Sequence, residues 1–386
     1  AISRRYRERE NHISSDSWPI YISLQKDGIL FKMRRTQDLP DKESATMFFQ
    51  DCKLAHQAQI TGISHSVKEI LPPDLLDLTQ LQKEANIRYG YTASEVYDIA
   101  QSLYEKKLIS YPRTSSRYLT EDVFDSLSPI MARLLSWELF PAAKGTGGID
   151  ISSLSRHVIS AEKANVHHAI IITGIRPGNM SEKEMQVYRL VAGRMLEAFM
   201  APCRIETTNV EAVCAAQHFK VEQTRIIEAG WHDVFMCSDM IPTSGYSVKE
   251  LPKMEKGDTL NVCGCNMVHK KQLPVNPFTD AELVEYMEQN GLGTVSSRTN
   301  IIRTLVNRKY IRYSGKYIVP TPKGMFTYET IRGKKIADTS LTADWEKQLA
   351  GLESGMITGQ DFLNRIRTLA KEMTDDIFNT YSTKEE

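Results

Sequence analysis

The feature that most limits the fold of this chain is a change in the period of its hydrophobic pattern. From residue 204 to 268 polar and apolar residues alternate, as in Val210-Glu-Ala-Val-Cys214 and Leu260-Asn-Val-Cys-Gly-Cys, the period that gives an antiparallel sheet one buried face. On either side the period lengthens to that of a helix. Ser181 and Glu184 form a capping box that opens a helix with Val187, Leu190, Val191, Met195 and Phe199 as its core side, and Thr92 and Glu95 open another along Val96, Ile99, Ala100 and Leu103. The stretch from Leu71 through Leu75, Leu76, Leu78 and Leu81 also reads as helical. Strands framed by helices, in a chain of 386 residues, make a multidomain α+β protein of roughly two to four domains.

The ends carry their own patterns. A charged opening segment leads to Trp18-Pro-Ile-Tyr-Ile-Ser-Leu and Gly28-Ile-Leu-Phe-Lys-Met, whose Asp27-Gly28 junction reads as a hairpin turn, and a helical stretch follows near 42–56. The chain begins without methionine and without an obvious cap for a first element, so an excised fragment is expected. Later, Thr279 and Glu282 form a capping box that starts a helix ending at Asn290-Gly291. After Gly291-Leu-Gly293, Ser296 or Ser297 is placed to cap a second helix through Ile301, Ile302 and Leu305, and Lys309 to Val319 reads as a hairpin. Helix, turn, helix and hairpin give a winged-helix pattern. Leu103 to Tyr111 also overlays Leu305 to Tyr313, with leucine, lysine, isoleucine and tyrosine at matching places, which raises a related cassette beside chance likeness. Helices on Leu341, Trp345, Leu349 and Leu352 and over 360–381 close the chain.

Composition narrows the function. Hydrophobic residues make up 41% and charged residues 25%, as in a soluble globular protein. No apolar run reaches the roughly 18 residues of a membrane span and the charged N-terminus is no signal peptide, so a cytoplasmic location is expected. The six cysteines form no Cys-x-x-Cys pair, and Cys263 and Cys265 fall on one face of a strand as reduced thiols. Lys plus Arg equals Asp plus Glu at 48 each, so any nucleic-acid footprint has to be local. One such window exists: no acid separates Glu288 from Glu329, while Arg298, Arg303, Arg308, Lys309, Arg312, Lys316 and Lys323 lie inside it. Gly291 and Gly293, with the helix start at Thr294 and Ser297, would let backbone N–H groups meet a phosphate. A solvated helix face is the plain alternative.

The chemistry gathers at Leu108-Ile-Ser-Tyr-Pro-Arg-Thr-Ser-Ser-Arg-Tyr118, where a tyrosine and an arginine stand two apart in a segment without an acid. A phenol with a reference pKa of about 10 needs cationic or metal help before it attacks a phosphate. Arg113 offers a guanidinium fork suited to phosphate oxygens, and Pro112 stiffens the link between them. A tyrosyl phosphodiester keeps about the energy of the bond it replaces, which suits reversible strand breakage. Against this, Tyr111 is one of sixteen tyrosines and could end a buried strand. His167 and His168 are adjacent, with no metal-ligand spacing, and read either as structural or as hydrogen-bonding a phosphate.

The segment Leu108 to Leu119 resembles the active-site segment of the type IA DNA topoisomerases, on the topoisomerase III side, whose usual form is Tyr-Pro-Arg-Thr-Asp-Ser; Ser115 replaces the aspartate. Arg5-Tyr-Arg-Glu8, Leu81-Gln-Lys-Glu-Ala-Asn86, Thr342-Ala-Asp-Trp-Glu346 and His167-His-Ala-Ile-Ile-Ile-Thr173 are similar to further family segments, the last to His-x-Ala-Ile-x-Pro-Thr. Gly291-Leu-Gly-Thr-Val-Ser-Ser297 resembles the family's glycine turn that holds single-stranded DNA, with Arg308 at that helix's arginine. Ile172 and Val295 stand where the family has proline.

The resemblance implies a toroidal core: a β-rich arch from 1–66 and 186–268, a helical domain over 67–185 carrying the nucleophile, and a helical winged-helix-like part over 269–386. It implies that Tyr111 forms a 5′-phosphotyrosyl link on one strand, that a second strand passes, and that the break reseals, with Arg113 and His167 steadying the phosphate. Gly291, Gly293, Thr294, Ser297, Arg298, Arg303 and Arg308 would bind DNA. Single-stranded DNA, a second strand or duplex, a helicase partner and a monomeric state are further implications. The family's magnesium belongs to an Asp-x-Asp-x-Glu cluster in a TOPRIM domain, and no Asp-x-Asp occurs in this chain. Binding without efficient cleavage is therefore expected of these residues alone. A tyrosine nickase and a non-catalytic winged-helix or single-strand-binding protein are the alternatives; the former rests on a His-hydrophobic-His pair that adjacent histidines do not make.

Overall fold

The computed structural model describes residues 1–137, 139–140, 156–164, 167–235, 248 and 250–382; Cys237 lies outside them. The charged opening segment is a helix, α1 (Ile2–Glu10). It packs against the far end of the chain, with Arg7 Nε donating to Glu329 at 3.0 Å and Arg5 lying 4.0 Å above the Phe278 ring. After the short β1 (Asp16–Ser17), β2 (Ile20–Lys26) and β3 (Ile29–Arg35) form the hairpin that Asp27-Gly28 announces. Both turn residues have positive φ, 50° and 80°, the twist a two-residue hairpin needs. Asp41 caps α2 (Lys42–Leu54) by accepting from Ser44 N at 2.7 Å. The 14-residue strand β4 (Gln57–Ile70) follows.

The region after β4 differs from the sequence reading in one respect. Helix α3 (Leu78–Tyr89) begins only at Leu78, because Asp77 accepts from Gln80 N at 2.7 Å and ends the extended approach in which Leu76 bridges Ile170. Helix α4 (Ala93–Glu105) keeps its Thr92 and Glu95 capping box. Short helices α5 (Glu121–Asp125), α6 (Leu127–Ser136) and α7 (Ala161–Ala164) lead to α8 (Glu182–Phe199), which is buried from Val187 onward apart from Arg189 and runs through the largest hydrophobic core.

Strands β5 (Cys203–Cys214), β6 (Gln217–Glu228) and β7 (Thr259–Met267) complete a closed barrel in the order β2-β3-β6-β5-β4-β7. Its interior is a second core built on Ile20, Ile22, Leu24, Met33, Ile60, Val210 and Phe219. The pairing of β2 with β7 slips between Ser23 and Leu24, so Cys263 bulges out, exposed, while Val262 and Cys265 turn toward the core. That slip overturns the expectation that Cys263 and Cys265 share a face, because one inserted residue inverts the alternation. Strand β8 (Lys270–Lys271) pairs with β1.

A third core closes the chain around α9 (Asp280–Gln289), α10 (Val295–Asn307), β9 (Ile311–Ser314), β10 (Tyr317–Pro320) and α11 (Pro322–Ile331), with α12 (Thr339–Glu353) and α13 (Gly359–Ser382) beyond. It repeats the plan of the α3–α4 region. Lys107 and Lys309 both have φ of 60°, and in both copies the next residue's N–H donates at 2.9 Å into the helix just ended, Leu108 to Leu103 O and Tyr310 to Leu305 O. Thr173 and Thr321 each donate to the carbonyl of that lysine at 2.6 Å. The copies also pack face to face about a local two-fold: Lys83 pairs at 2.7 Å with Glu285, its counterpart 202 residues on. Thr79 meets Glu288 at 3.0 Å as Ala281 N meets Asn86 at 3.4 Å. Among the described residues no helix is long and apolar enough to cross a membrane.

In the largest core, Arg194 lies between the carboxylates of Glu84 and Glu197, and its Nη1 donates to Asp74 O at 3.2 Å. Burial pushes Glu197 up to about 7 although Arg194 opposes it. Because the folded carboxyl holds its proton more tightly than the unfolded one, this group's contribution is complete below about pH 4.5 and is lost as the pH rises through 7. Chemical unfolding at pH 5 and pH 8 should therefore show a stability difference of at most about 3 kcal/mol, which the Glu197→Gln chain lacks.

Candidate active site

Tyr111 stands in an extended segment that leaves α4. It is no strand: the segment is held by one bridge, Ile109 to Ile172, and by side chains that complete the pairing. Ser110 N donates to Ile171 O at 2.8 Å, Ile171 N donates to Ser110 Oγ at 3.0 Å, and Thr114 Oγ1 donates to His167 O at 2.7 Å. This sets the His167 ring 4.6 Å from that of Tyr111. His168, the next residue, directs Nδ1 to the Ala169 carbonyl at 2.7 Å instead. Of the two adjacent histidines, the contacts bring His167 to the tyrosine.

Arg113 lies on the outer side of α4. Its guanidinium is 5.1 Å above the Tyr97 ring, Nη2 donates to Gln101 at 3.2 Å, and Nε is buried with no partner among the described residues. Tyr111 meets Tyr104 edge to face at 5.4 Å. Tyr97, Gln101 and Tyr104 repeat at helical spacing, so one face of α4 receives both Arg113 and Tyr111. These α4 residues were not singled out in the sequence, although their four- and three-residue spacing was there to be read.

Behind the site the chain is anchored firmly. Ser116 Oγ donates to Lys163 O at 2.7 Å, and Arg117 Nε donates at 2.7 Å to Asp77, whose carboxyl burial pushes up. Ser115, where the resembling family has aspartate, is exposed. Ile172 is fully buried and its N–H points to Met195 Sδ at 3.1 Å, a donor that proline lacks.

The basic window divides into two parts. Gly291 and Gly293 have φ of 62° and 70°, and a Cβ at Gly293 would stand 2.8 Å from Ser297 Oγ. The cap of α10 is Thr294, whose N–H donates to Ser297 Oγ at 2.8 Å, rather than Ser296 or Ser297. Arg298 is 8% exposed and bonded to Glu288 and Thr79, each at 3.2 Å, and Arg303 grips Asp98 and Ser94. Neither is a free phosphate ligand in this arrangement, because acids outside the window, on α9 and α4, neutralise them. Arg308, Lys309, Arg312, Lys316 and Lys323 are exposed, at the far end of α10, on the hairpin and in the first turn of α11. Among the described residues no three His, Cys, Asp or Glu side chains could hold a metal.

Comparison with known proteins gives this geometry its context. A family model described as DNA topoisomerase matches residues 1–364. The DNA topoisomerase 3 of Bacillus licheniformis is 31% identical over 344 residues, 83% of this chain and 47% of the relative. That of Shouchella clausii is 30% identical over 383 residues, 91% of this chain and 51% of the relative. The chain thus spans about half the length of the curated relatives it matches. Full-length topoisomerase I from Thermotoga maritima shares its fold, with a TM-score of 0.75 at 21% identity over 96% of this chain and 61% of that one. With a family match over nearly its whole length, this chain belongs to the type IA DNA topoisomerases and stands near the topoisomerase III branch.

Proposed function

We propose that the protein to which these residues belong cleaves one DNA strand through Tyr111, passes a second strand or duplex through the break, and reseals it. The contact of Tyr111 with His167 at 4.6 Å, beside an arginine on the same helix face, carries the reading. In it Tyr111 Oη attacks phosphorus, a P–Oη bond replaces the P–O3′ bond, and the 3′ oxygen leaves as a hydroxyl. The strand then carries a 5′-phosphotyrosyl link, and attack by the 3′ hydroxyl restores both groups. Arg113 would neutralise phosphate charge, and His167 would orient a phosphate oxygen or the phenol. Magnesium dependence is general in the family, but among the described residues no cluster of His, Cys, Asp or Glu fits the ion.

The same reading divides the chain into 1–66 and 186–268 as the two pieces of the arch, 67–185 as the tyrosine domain and 269–386 as a winged-helix-like domain; three separate cores support that number of domains, but α8 packs in the core of 67–185, which carries the end of that domain past Phe199. It takes the toroid, a monomeric cytoplasmic state and a helicase partner from the family resemblance. Single-stranded DNA would run from the Gly291–Thr294 turn toward Tyr111.

Two measurements test the reading. With magnesium and an end-labelled single strand, the full-length protein should yield a covalent adduct on a denaturing gel, and the Tyr111→Phe protein should not; an adduct that survives in the Phe protein moves the nucleophile elsewhere. These 386 residues alone, given magnesium and supercoiled plasmid, should bind without efficient relaxation. In salt-dependent binding, Arg308→Ala should weaken all sequences alike and reduce the salt slope by about one. Arg298→Ala, which strips Glu288 of its partner, should instead lower folding stability by about 2 kcal/mol or more.

A further inference from the structure

Tyr104 is the feature near the site that packing does not explain. Among the described residues it is the one exposed tyrosine, with 39% of its surface open. Its neighbours are covered by cations: Arg113 lies over Tyr97, Lys163 over Tyr118 and Lys183 over Tyr91. Tyr104 meets the nucleophile's ring edge to face at 5.4 Å and otherwise opens to solvent.

The second cassette serves as an internal control. At the separation of 202 residues that relates Lys83 to Glu285, the counterpart of Tyr111 is Tyr313 and that of Tyr104 is Val306. Tyr313 is half-buried, its hydroxyl donating to Asp280 at 3.1 Å, and Val306 packs against its own core. The cassette therefore folds with an aliphatic side chain at this place. An aromatic ring stands there in the copy whose neighbouring tyrosine is the proposed nucleophile.

We propose that Tyr104 is a stacking platform for a nucleobase of single-stranded DNA, next to the phosphate that Tyr111 attacks. This rests on the Tyr111 reading above. Every base has a π-face, so such a platform tolerates any sequence and fits an enzyme that must act along a strand. A base pinned on Tyr104 fixes the adjoining phosphate with respect to Tyr111 Oη, which makes Tyr104 a positioning residue as well as a binding one.

The test uses this chain and a short single strand carrying one 2-aminopurine, stepped through the sequence. The parent should quench the probe most strongly at one step, and Tyr104→Phe, which keeps the ring, should quench it there too. Tyr104→Val copies the second cassette's residue; it should lose that quench and bind about ten-fold or more weakly. Thermal melting shows that the variant is folded, and Arg308→Ala, measured in parallel, should weaken binding without moving the quench. Equal binding and an unchanged quench in Tyr104→Val overturn the platform alone, as does an even quench at every step in the parent. If the parent binds no single strand, the Tyr111 reading falls with it.

Discussion

The site depends on backbone pairing between two extended segments, 108–114 and 167–173, that are far apart in sequence. Neither forms a regular strand, so the hydroxyls of Ser110, Thr114 and Thr173 supply partners that a ladder would have supplied. Buried backbone groups left unpaired would cost too much for the segments to stay extended in the core. The alternation of an extended chain then decides which histidine faces the tyrosine. A slip of one residue would bring His168 to Tyr111 and turn His167 away.

The two cassettes show how one scaffold yields two different tyrosines. Tyr313 sits behind Asp280, and burial raises its phenol well above the ordinary range. Tyr111 occupies the matching place with an arginine, a histidine and an open aromatic around it. Because the cassettes meet through equivalent faces of α3 and α9, as a symmetric dimer would, polar contacts recur in pairs across the axis. The pairing departs from symmetry where Gln82 donates to Thr299 and Arg303 to Asp98, and again near the nucleophile. Arg117, which follows Tyr111 in the chain, binds the cap of α3 and approaches Glu288 on α9 at 3.8 Å.

Much of this was legible where a local rule applies. The boxes at Thr92, Ser181 and Thr279 each cap a helix, Asp27-Gly28 makes its hairpin, and the likeness of Leu103–Tyr111 to Leu305–Tyr313 reflects a shared backbone plan. What escaped depended on distant partners. Strand β4 went unread because its register shifts between Ile60 and Gly62 and breaks the alternation, and its outer half is largely exposed. Leu75 and Leu76 carry helical spacing but are buried by an extended path to Ile170. Arg298 looked like a phosphate ligand because its partner, Glu288, marks the window's edge and reaches back across it. Tyr111 and His167 were joined in sequence through the family resemblance alone; spacing within the chain does not announce their contact.

One topological detail has a kinetic side. Ile70 at the end of β4 and Cys203 at the start of β5 are register partners, so residues 71–202 form an excursion that leaves and re-enters the barrel at a single point. Closing so long a loop as open chain is entropically slow, whereas an excursion already folded about α8 brings its two ends together in advance. The Trp231 indole, donating to the Ile70 carbonyl at 2.9 Å, fastens that point from β6's side. Early folding of the nucleophile-bearing region would thus shorten the loop that closing the barrel requires.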